Sequence, residues 1–170
     1  MVKRGRLLHI EIHTDRILSK FARLTHEMRE KIYRIWLVSP WITHENTHRD
    51  PLVTLVLAAK PKNPPIVVIT RPPEKNNKEH NAALQLLRSH GNTTTFTMPS
   101  LHSKIYLLHC NGFRAAFFGS PNFTVGGNVR NEEIAIDLRT TSQDNGDKVA
   151  SLITDLNDYV SSLRSDATLV

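Results

Sequence analysis

The chain has 170 residues, a formal net charge of +6 and one cysteine, Cys110. This length fits a single domain over residues 1–170, which would bury roughly 70% of its unfolded surface and build its core unaided. One cysteine excludes an intrachain disulfide and favours a reducing compartment. The longest apolar runs are far too short for a membrane span, and acidic residues interrupt any signal peptide, so we expect a cytoplasmic protein with no membrane partner.

The positive charge lies in the first hundred residues. Residues 1–100 contain 16 Lys and Arg against 8 Asp and Glu, whereas residues 101–170 contain 6 against 8. A basic surface of this kind is typical of proteins that bind polyanions such as nucleic acids. Surface lysines are also common in other proteins, so charge alone does not identify the partner.

Strand and helix patterns alternate over the first hundred residues. The predicted strands of this part are Leu7–His13, Ile32–Ser39, Ile66–Thr70 and Thr93–Met98. The predicted helices run from a Thr14-Asp15 cap to about Lys31, from Arg49 to Ala59 with Pro51 near the start, and from Asn81 to His90 before Gly91.

A β-hairpin is predicted to follow. The stretch Ser103–His109 alternates apolar and polar side chains, Asn111-Gly112 is a strong two-residue turn signal, and Arg114–Gly119 returns as the second strand. Side chains directly opposite each other in such a pair have Cβ atoms about 5 Å apart. The turn therefore predicts that residues 120–122 fold back beside residues 102–104.

The remaining chain adds one strand and one helix. We predict a strand over Glu133–Leu138 beside the hairpin, an irregular loop or a single helical turn over Phe123–Asn131, and a helix over Asp144–Leu163. The predicted buried stripe of this helix is Val149, Leu152, Ile153, Leu156, Val160 and Leu163, and its exposed face carries Asp147, Asp155 and Asp158. The whole pattern indicates an α/β fold, with a mixed sheet of about seven strands flanked by helices on both faces, parallel early and antiparallel late.

The hairpin brings four kinds of polar side chain together. They are the imidazole of His102, the ammonium of Lys104, the hydroxyl of Ser120 and the carboxamide of Asn122. A lysine is a point charge for phosphate oxygens, which hydroxyl and carboxamide groups also bind, and a histidine can act as nucleophile and proton carrier. Glu133 could accept the far ring N–H of His102 and hold its tautomer. The cluster therefore fits a phosphodiester substrate.

The order and spacing of these residues resemble those of a known family. The pattern His-x-Lys at His102–Lys104, Gly-Ser-x-Asn at Gly119–Asn122 and Glu at Glu133 is similar to the phospholipase D superfamily, also called the HKD family. The spacing is most similar to the nuclease branch, particularly to metal-independent restriction endonucleases with one motif copy. The family's aspartate, five residues after the lysine, falls here on His109, which weakens a phospholipase interpretation more than a nuclease one. The competing interpretation is a strand end, a solvated lysine and an ordinary turn.

The resemblance implies roles for these residues and a dimer. By that resemblance, His102 attacks the phosphorus and forms a covalent phosphohistidine, and Glu133 orients the ring. Lys104 and Asn122 hold the phosphate, with Ser120 supporting them. A second histidine protonates the leaving oxygen, so a chain with one motif copy needs a homodimer that places two His102 rings at one phosphate. No metal and no cofactor are expected.

Three further residues are candidate substrate contacts. Trp41, in the loop after the second strand, could stack on a base, although a loop tryptophan more often plugs the edge of the core. Arg71 and Lys75 place positive charge in the polar loop after the third strand. The histidines that lack the spacing of a zinc site, and are therefore not assigned as metal ligands, are His44, His48, His80, His90 and His109.

The sequence favours a metal-independent phosphodiesterase, an endonuclease that acts on DNA, with RNA as the alternative substrate. It could be the cleavage domain or subunit of a restriction-type enzyme with a separate recognition domain or subunit, because no helix-turn-helix or zinc finger is evident. A phospholipase D or phosphatidyltransferase is a second hypothesis, against which stands the lack of an amphipathic membrane helix. A non-catalytic nucleic-acid-binding module is the third.

Overall fold

The computed structural model describes residues 9–44, 50–125, 132–141 and 148–170. The strands are β1 His9–His13, β2 Ile32–Val38, β3 Ile66–Thr70, β4 Thr93–Thr97, β5 Ile105–Cys110, β6 Phe113–Gly119, β7 Ala135–Thr141 and β8 Thr168–Leu169. The helices are α1 Ile17–Met28, α2 Pro51–Ala59, α3 Lys78–Arg88 and α4 Lys148–Asp166. The predictions made for Leu7, Leu8, His48, Arg49, residues 126–131 and residues 144–147 lie outside the described residues.

The eight strands of the described residues belong to one mixed sheet, in the order β1-β7-β6-β5-β2-β3-β4-β8. The pairs β2–β3 and β3–β4 are parallel, and the other neighbours are antiparallel. This confirms the predicted α/β fold, with parallel strands before antiparallel ones. The strand that the sequence did not indicate is β8, which has two residues and is therefore too short to show an alternation.

The helices cover the two faces of the sheet unequally. Apolar residues of α1, α2 and α3, such as Phe21, Leu55 and Leu84, share one buried cluster with β5 and β6. Helix α4 packs on the opposite face, where Ile153 lies in a cluster with Trp36. No helix in the described part of the chain is long and apolar enough to cross a membrane.

The predicted ends of the helices needed correction at several points. Helix α1 begins after Arg16, which is left-handed with a φ of 47° and offers no side-chain cap, so the predicted Thr14-Asp15 cap is wrong. Asp15 binds the Lys20 ammonium at 2.9 Å instead. Helix α3 begins three residues earlier than predicted because the side chain of Asn77 accepts the His80 N–H at 3.0 Å and caps the helix. Leu152, predicted to be buried, is 47% exposed at the margin of the α4 stripe.

Strand β1 lies at an edge of the sheet, paired antiparallel with β7 rather than beside β2. Its alternation is the predicted one, but the side chains of Ile10 and Ile12 are 62% and 63% exposed, whereas His13 is buried. His13 stacks on Phe117 with ring centroids 6.1 Å apart. A period of two therefore identified a strand here without identifying its buried face.

The hairpin has the predicted register. Cys110 pairs with Phe113, and Ile105 pairs with Phe118. Gly112 in the turn has a φ of 77°, a conformation that glycine adopts without steric cost. Burial raises the pKa of the Cys110 thiol to about 12, so this lone cysteine remains protonated at neutral pH.

Two arginines and a histidine between them form a row across the sheet beside this turn, which we call the charged row after its two guanidinium groups. Arg34 of β2 pairs with His109 of β5, which pairs in turn with Arg114 of β6. His109 is 7% exposed. Burial lowers its pKa to about 4, and the charges of Arg34 and Arg114 act in the same direction. The imidazole is therefore neutral in the folded protein at neutral pH.

This buried histidine predicts a dependence of stability on pH. Between pH 6.5, the ordinary pKa of histidine, and pH 4, the unfolded chain binds a proton at His109 that the folded chain does not. The free energy of unfolding should therefore fall as the pH falls through this window, by on the order of 3 kcal/mol from this residue. Urea unfolding of the wild type and His109→Gln at several pH values measures the effect. His26→Gln, at an exposed position, is the control, and equal pH slopes in all three proteins would contradict the prediction.

Candidate active site

The candidate residues lie on segments that meet at one edge of the sheet, meaning here the border that is formed by the ends of the strands. Strand β6 runs toward this edge, and its antiparallel neighbours β5 and β7 begin there. Residues 101–104 precede β5, residues 120–122 follow β6, and Glu133 precedes β7. Because antiparallel neighbours exchange their ends, three segments that are distant in sequence converge at this edge.

His102 and Lys104 occupy the segment before β5. The ring of His102 is exposed and Lys104 is half-buried. The Lys104 ammonium can donate to His102 Nδ1 over 3.4 Å. Burial lowers the pKa of Lys104, the charge of Arg71 lowers it further, and the carboxylate of Glu133 opposes both. The ammonium therefore lies in the field of one carboxylate and one guanidinium.

Ser120 joins the segment after β6 to the segment before β7. Its hydroxyl donates to Glu133 Oε2 and accepts the Ile134 N–H at 2.9 Å. Its own N–H donates to the carbonyl of Ile134, also at 2.9 Å. These three bonds hold the Glu133 carboxylate beside the end of β6.

Gly119 is required by the close approach of two backbones. A Cβ atom added at Gly119 would lie 2.2 Å from the carbonyl oxygen of Ile134 and 2.7 Å from Cα of Ala135. Real side chains do not tolerate such distances from backbone atoms. The glycine before Ser120 therefore lets β7 begin close enough for Ile134 to bind Ser120.

The backbone on both sides of Asn122 is fixed. The carbonyl of Pro121 accepts the Tyr106 hydroxyl at 2.6 Å, and the N–H of Phe123 donates to Ser39 Oγ at 3.0 Å. Burial raises the pKa of Tyr106, so its hydroxyl remains a donor. Asn122 Oδ1 is itself buried and has no hydrogen-bond partner within the described residues. A buried carboxamide oxygen of this kind is an acceptor that a ligand can satisfy.

Two of the three predicted substrate contacts lie together beside the candidate site. Arg71 Nε donates to the carbonyl of Leu101 at 2.9 Å, and its guanidinium lies 5.7 Å from the ring centroid of Trp41. The rings of Trp41 and His80 form an edge-to-face pair with centroids 5.8 Å apart. Lys75 is exposed in the following loop, and no hydrogen bond or ion pair to another described residue connects it to the site.

Several positioning residues were missed by the sequence analysis. Tyr159 of α4 forms a hydrogen bond with Ser103 at 2.7 Å, and Tyr106 and Ser39 hold the backbone beside Asn122. Tyr159 lies 56 positions from Ser103, and no local pattern connects them. Only the position of Ser39, just past the end of β2, was a signal that it belongs to this edge.

The described residues include one group whose ligand atoms are close enough to share a metal ion. His9, Glu11 and Asp137 place these atoms within 4.8 Å of one another. Asp137 is already bound by Arg139 Nη2 at 2.6 Å, and His13 Nε2 lies 3.2 Å from the same carboxylate oxygen. The alternation His-x-Glu-x-His in β1 was the signal that the sequence analysis missed.

The other histidines of the described part have structural partners or are buried. His44 pairs with the helix-capping carboxylate of Asp50 at 2.8 Å. His80 Nδ1 lies 2.7 Å from the carbonyl of Ile42, and His90 Nε2 lies 3.1 Å from the carbonyl of Pro64. These contacts account for the histidines that were weighed as metal ligands, apart from His48 outside the described residues and His109 in the charged row.

The fold is shared with several solved structures. The phospholipase D family member Nuc from Salmonella typhimurium superposes with a TM-score of 0.65 and 16% identity, over 96% of this chain and 98% of Nuc. NucT from Helicobacter pylori gives a TM-score of 0.67 and 13% identity, over 96% and 99% of the two chains. Phosphatidylserine synthase from Haemophilus influenzae gives a TM-score of 0.60 and 10% identity, over 99% of this chain and 41% of the synthase. No protein-family model and no curated protein matches the sequence. The chain therefore has a phospholipase D-like fold.

The close approach at Gly119 gives a testable prediction. In Gly119→Ala the added methyl group must displace the Ile134–Ala135 backbone, which should cost about 1–3 kcal/mol of stability and shift the NMR amide signals of Ser120 and Ile134. The control Gly91→Ala also places alanine at a positive φ, here +81°, but its Cβ meets nothing within 4 Å. The control should lose about 1–2 kcal/mol and leave both signals in place. Unchanged signals in Gly119→Ala would show that the approach is not tight.

Proposed function

We propose that this chain is a phosphodiesterase of the phospholipase D superfamily that cleaves DNA without a metal ion. The observation that carries the proposal is the convergence of residues 102–104, residues 120–122 and Glu133 at one edge of a phospholipase D-like sheet. The proposal includes a covalent phosphohistidine at His102 and a homodimer. It also includes a separate recognition domain or subunit of the restriction type.

In the proposed first step, His102 attacks the phosphorus through Nε2. The P–N bond forms, the P–O bond to the leaving strand breaks, and the leaving oxygen takes a proton from the protonated His102 of the second subunit. Attack through Nε2 requires the ring proton on Nδ1, and Glu133, held by Ser120, is the proposed acceptor for it. In the free protein the Lys104 ammonium can donate to His102 Nδ1 over 3.4 Å. When the substrate binds, the ammonium donates to a phosphate oxygen instead.

In the proposed second step, water attacks the phosphohistidine. The P–N bond breaks, the second His102 accepts the proton of the water molecule, and a phosphomonoester leaves. The negative charge of both transition states falls on phosphate oxygens, where Lys104 and the carboxamide of Asn122 are placed to stabilise it. The buried carboxamide oxygen of Asn122, which has no hydrogen-bond partner among the described residues, supports this role, because a half turn of the group presents its NH₂ donors at the same place.

DNA is the proposed substrate because of the charges and rings beside the site. Arg71 lies next to the segment of His102 and is stacked over Trp41 at 5.7 Å, so a cation for a second phosphate and a surface for a base lie together. The excess of Lys and Arg over Asp and Glu in residues 1–100 also favours a polyanionic substrate such as DNA. The fold alone does not decide between substrates, since a phosphatidylserine synthase shares it.

The central prediction is cleavage of plasmid and oligonucleotide DNA in excess EDTA. His102→Gln should lose at least about 1,000-fold in rate because the nucleophile is gone, and Lys104→Ala and Asn122→Ala should lose about 100- to 1,000-fold. His26→Gln, at an exposed position on α1, is the matched control and should retain full activity. A denaturing gel should show a protein–DNA adduct that His102→Gln does not form.

Other outcomes of the same assay would replace the proposal. Loss of cleavage in the chelator would show that the reaction needs a metal ion. Release of choline from phosphatidylcholine would indicate a lipid enzyme. Salt-sensitive DNA binding without any product, unchanged in His102→Gln, would indicate a binding module.

The shared site predicts a mixing effect. If one phosphate needs a His102 ring from each subunit, only dimers with two wild-type chains are active, so after subunit exchange an equal mixture with His102→Gln should retain about a quarter of the rate. Sites complete within one chain would retain about half. Mixing with His26→Gln should leave the rate unchanged.

Because one ring must be neutral and the other protonated, the rate should also follow a bell-shaped pH profile, and a flat rate from about pH 5 to 9 would contradict the pairing.

A further inference from the structure

A second cavity lies under α4, at the opposite end of β5 from His102. It has a volume of about 250 Å³, and the lining residues that matter for its chemistry are Tyr33, Arg34, His109, Arg114, Thr154 and Asn157. His109 is seven residues beyond His102 along the chain, which corresponds to about 23 Å in an extended strand. The cavity is therefore separate from the candidate active site.

The lining of the cavity includes residues at an irregularity in β2. The register between β2 and β5 shifts between Ile32 and Arg34, and Tyr33 at this β-bulge is 47% exposed. Bulges of this kind redirect side chains at the ends of strands. The rings of Tyr33 and His109 form an edge-to-face pair with centroids 5.8 Å apart. One wall of the cavity is therefore aromatic and the floor is the charged row Arg34, His109 and Arg114.

Among the described residues, no carboxylate neutralises the positive charge of this row. Within the ranges that the structure describes, neither Arg34 nor Arg114 has a carboxylate at ion-pair distance, and both charges act on His109. Arg114 Nη1 reaches only the hydroxyl of Thr154, at 3.4 Å. His109 is 7% exposed and its Nε2 atom is buried with no hydrogen-bond partner among the described residues. Two guanidinium groups and one orphaned imidazole nitrogen thus share one cavity.

We propose that this cavity is a second binding site, for the phosphate group of a small phosphorylated ligand of about mononucleotide size. Two guanidinium groups supply the forked donors that bind phosphate oxygens in pairs, and His109 supplies a third donor between them. Asn157 supplies a neutral hydrogen-bonding group from the α4 side, and the Thr154 hydroxyl, which donates to the Ala150 carbonyl, accepts from Arg114. Tyr33 offers a ring face at the entrance to a planar group attached to the phosphate.

The size of the cavity restricts the ligand. Sites for drug-sized ligands have volumes of about 300–1,000 Å³, so a cavity of about 250 Å³ admits a phosphate with little more than a sugar, and a ring would rest at the mouth. The phosphate can come from a free mononucleotide or from the phosphorylated end of a DNA strand. The exposed face of α4, with Asp155 and Asp158, does not favour a long strand running over it.

The test is a titration of the full chain followed by NMR of its histidine rings, which separates this cavity from the active site. The probes are sodium phosphate, dAMP, and a trinucleotide with either a 5′-phosphate or a 5′-hydroxyl. The signals of His109 should move on addition of phosphate and dAMP, also in a Lys104→Gln background that weakens binding near His102. Bound phosphate should raise the pKa of His109 from about 4, because an adjacent anion favours the charged ring.

Matched variants complete the test. Arg34→Gln and Arg114→Gln should each weaken the binding seen at His109 about tenfold or more, since each removes one charged donor. Arg88→Gln makes the same charge change at an exposed position of α3, on the other face of the sheet, and should change affinity less than about twofold.

Each outcome of the titration is decisive. A response to the 5′-phosphorylated trinucleotide alone would identify a DNA end as the source of the phosphate, and a response to dAMP alone would identify a free nucleotide. Failure of the His109 signals to move with any probe, in wild-type protein whose spectrum shows it to be folded, would overturn the proposal. So would movement that persists unchanged in the two arginine variants. None of these results depends on nuclease activity.

Discussion

The candidate site depends on how closely β6 and β7 approach each other at Gly119. At this position the two backbones are too close for any side chain, and the next residue, Ser120, exchanges hydrogen bonds with the main chain of Ile134. The Ser120 hydroxyl also donates to the carboxylate of Glu133, so the main-chain contacts that fix Ser120 help to position that carboxylate. The glycine-serine pair thus holds the carboxylate of Glu133 at the candidate site.

The direction of the strands explains why these segments meet. Strands β2 and β3 run parallel to each other, and β2 runs antiparallel to β5. The ends of β2, β3 and β6 and the starts of β5 and β7 therefore lie at one edge. This is why Arg71, which follows β3, can donate to the carbonyl of Leu101 just before β5. The mixed sheet brings a cation, an aromatic ring and an imidazole together, and a purely parallel sheet would bring only carboxyl ends of strands to that edge.

The sequence predicted the parts of this arrangement that depend on local chemistry. Asn111-Gly112 sets the hairpin register, and the register places Ser120 opposite the segment of His102, so this juxtaposition could be read from a short stretch. The contact of Ser103 with Tyr159 could not, because it depends on how α4 packs across the sheet. The position of β1 as an outer strand and the exposure of Ile10 and Ile12 could not be predicted for a similar reason. Alternation defines two faces, and the elements that pack on the sheet decide which of them is buried.

Two histidines lie near opposite ends of β5, His102 just before the strand and His109 within it. The surroundings of their rings differ. His102, just before the strand, is exposed and faces a single ammonium, so a substrate can approach its ring. His109 lies between two guanidinium groups under α4 and is almost fully buried. A ring held neutral by such surroundings is poorly suited to carry protons at neutral pH, but the same two cations attract an anion strongly. The difference arises from the strand neighbours: the start of β5 lies beside the end of β6, where Ser120 follows, whereas His109 lies between Arg34 of β2 and Arg114 of β6.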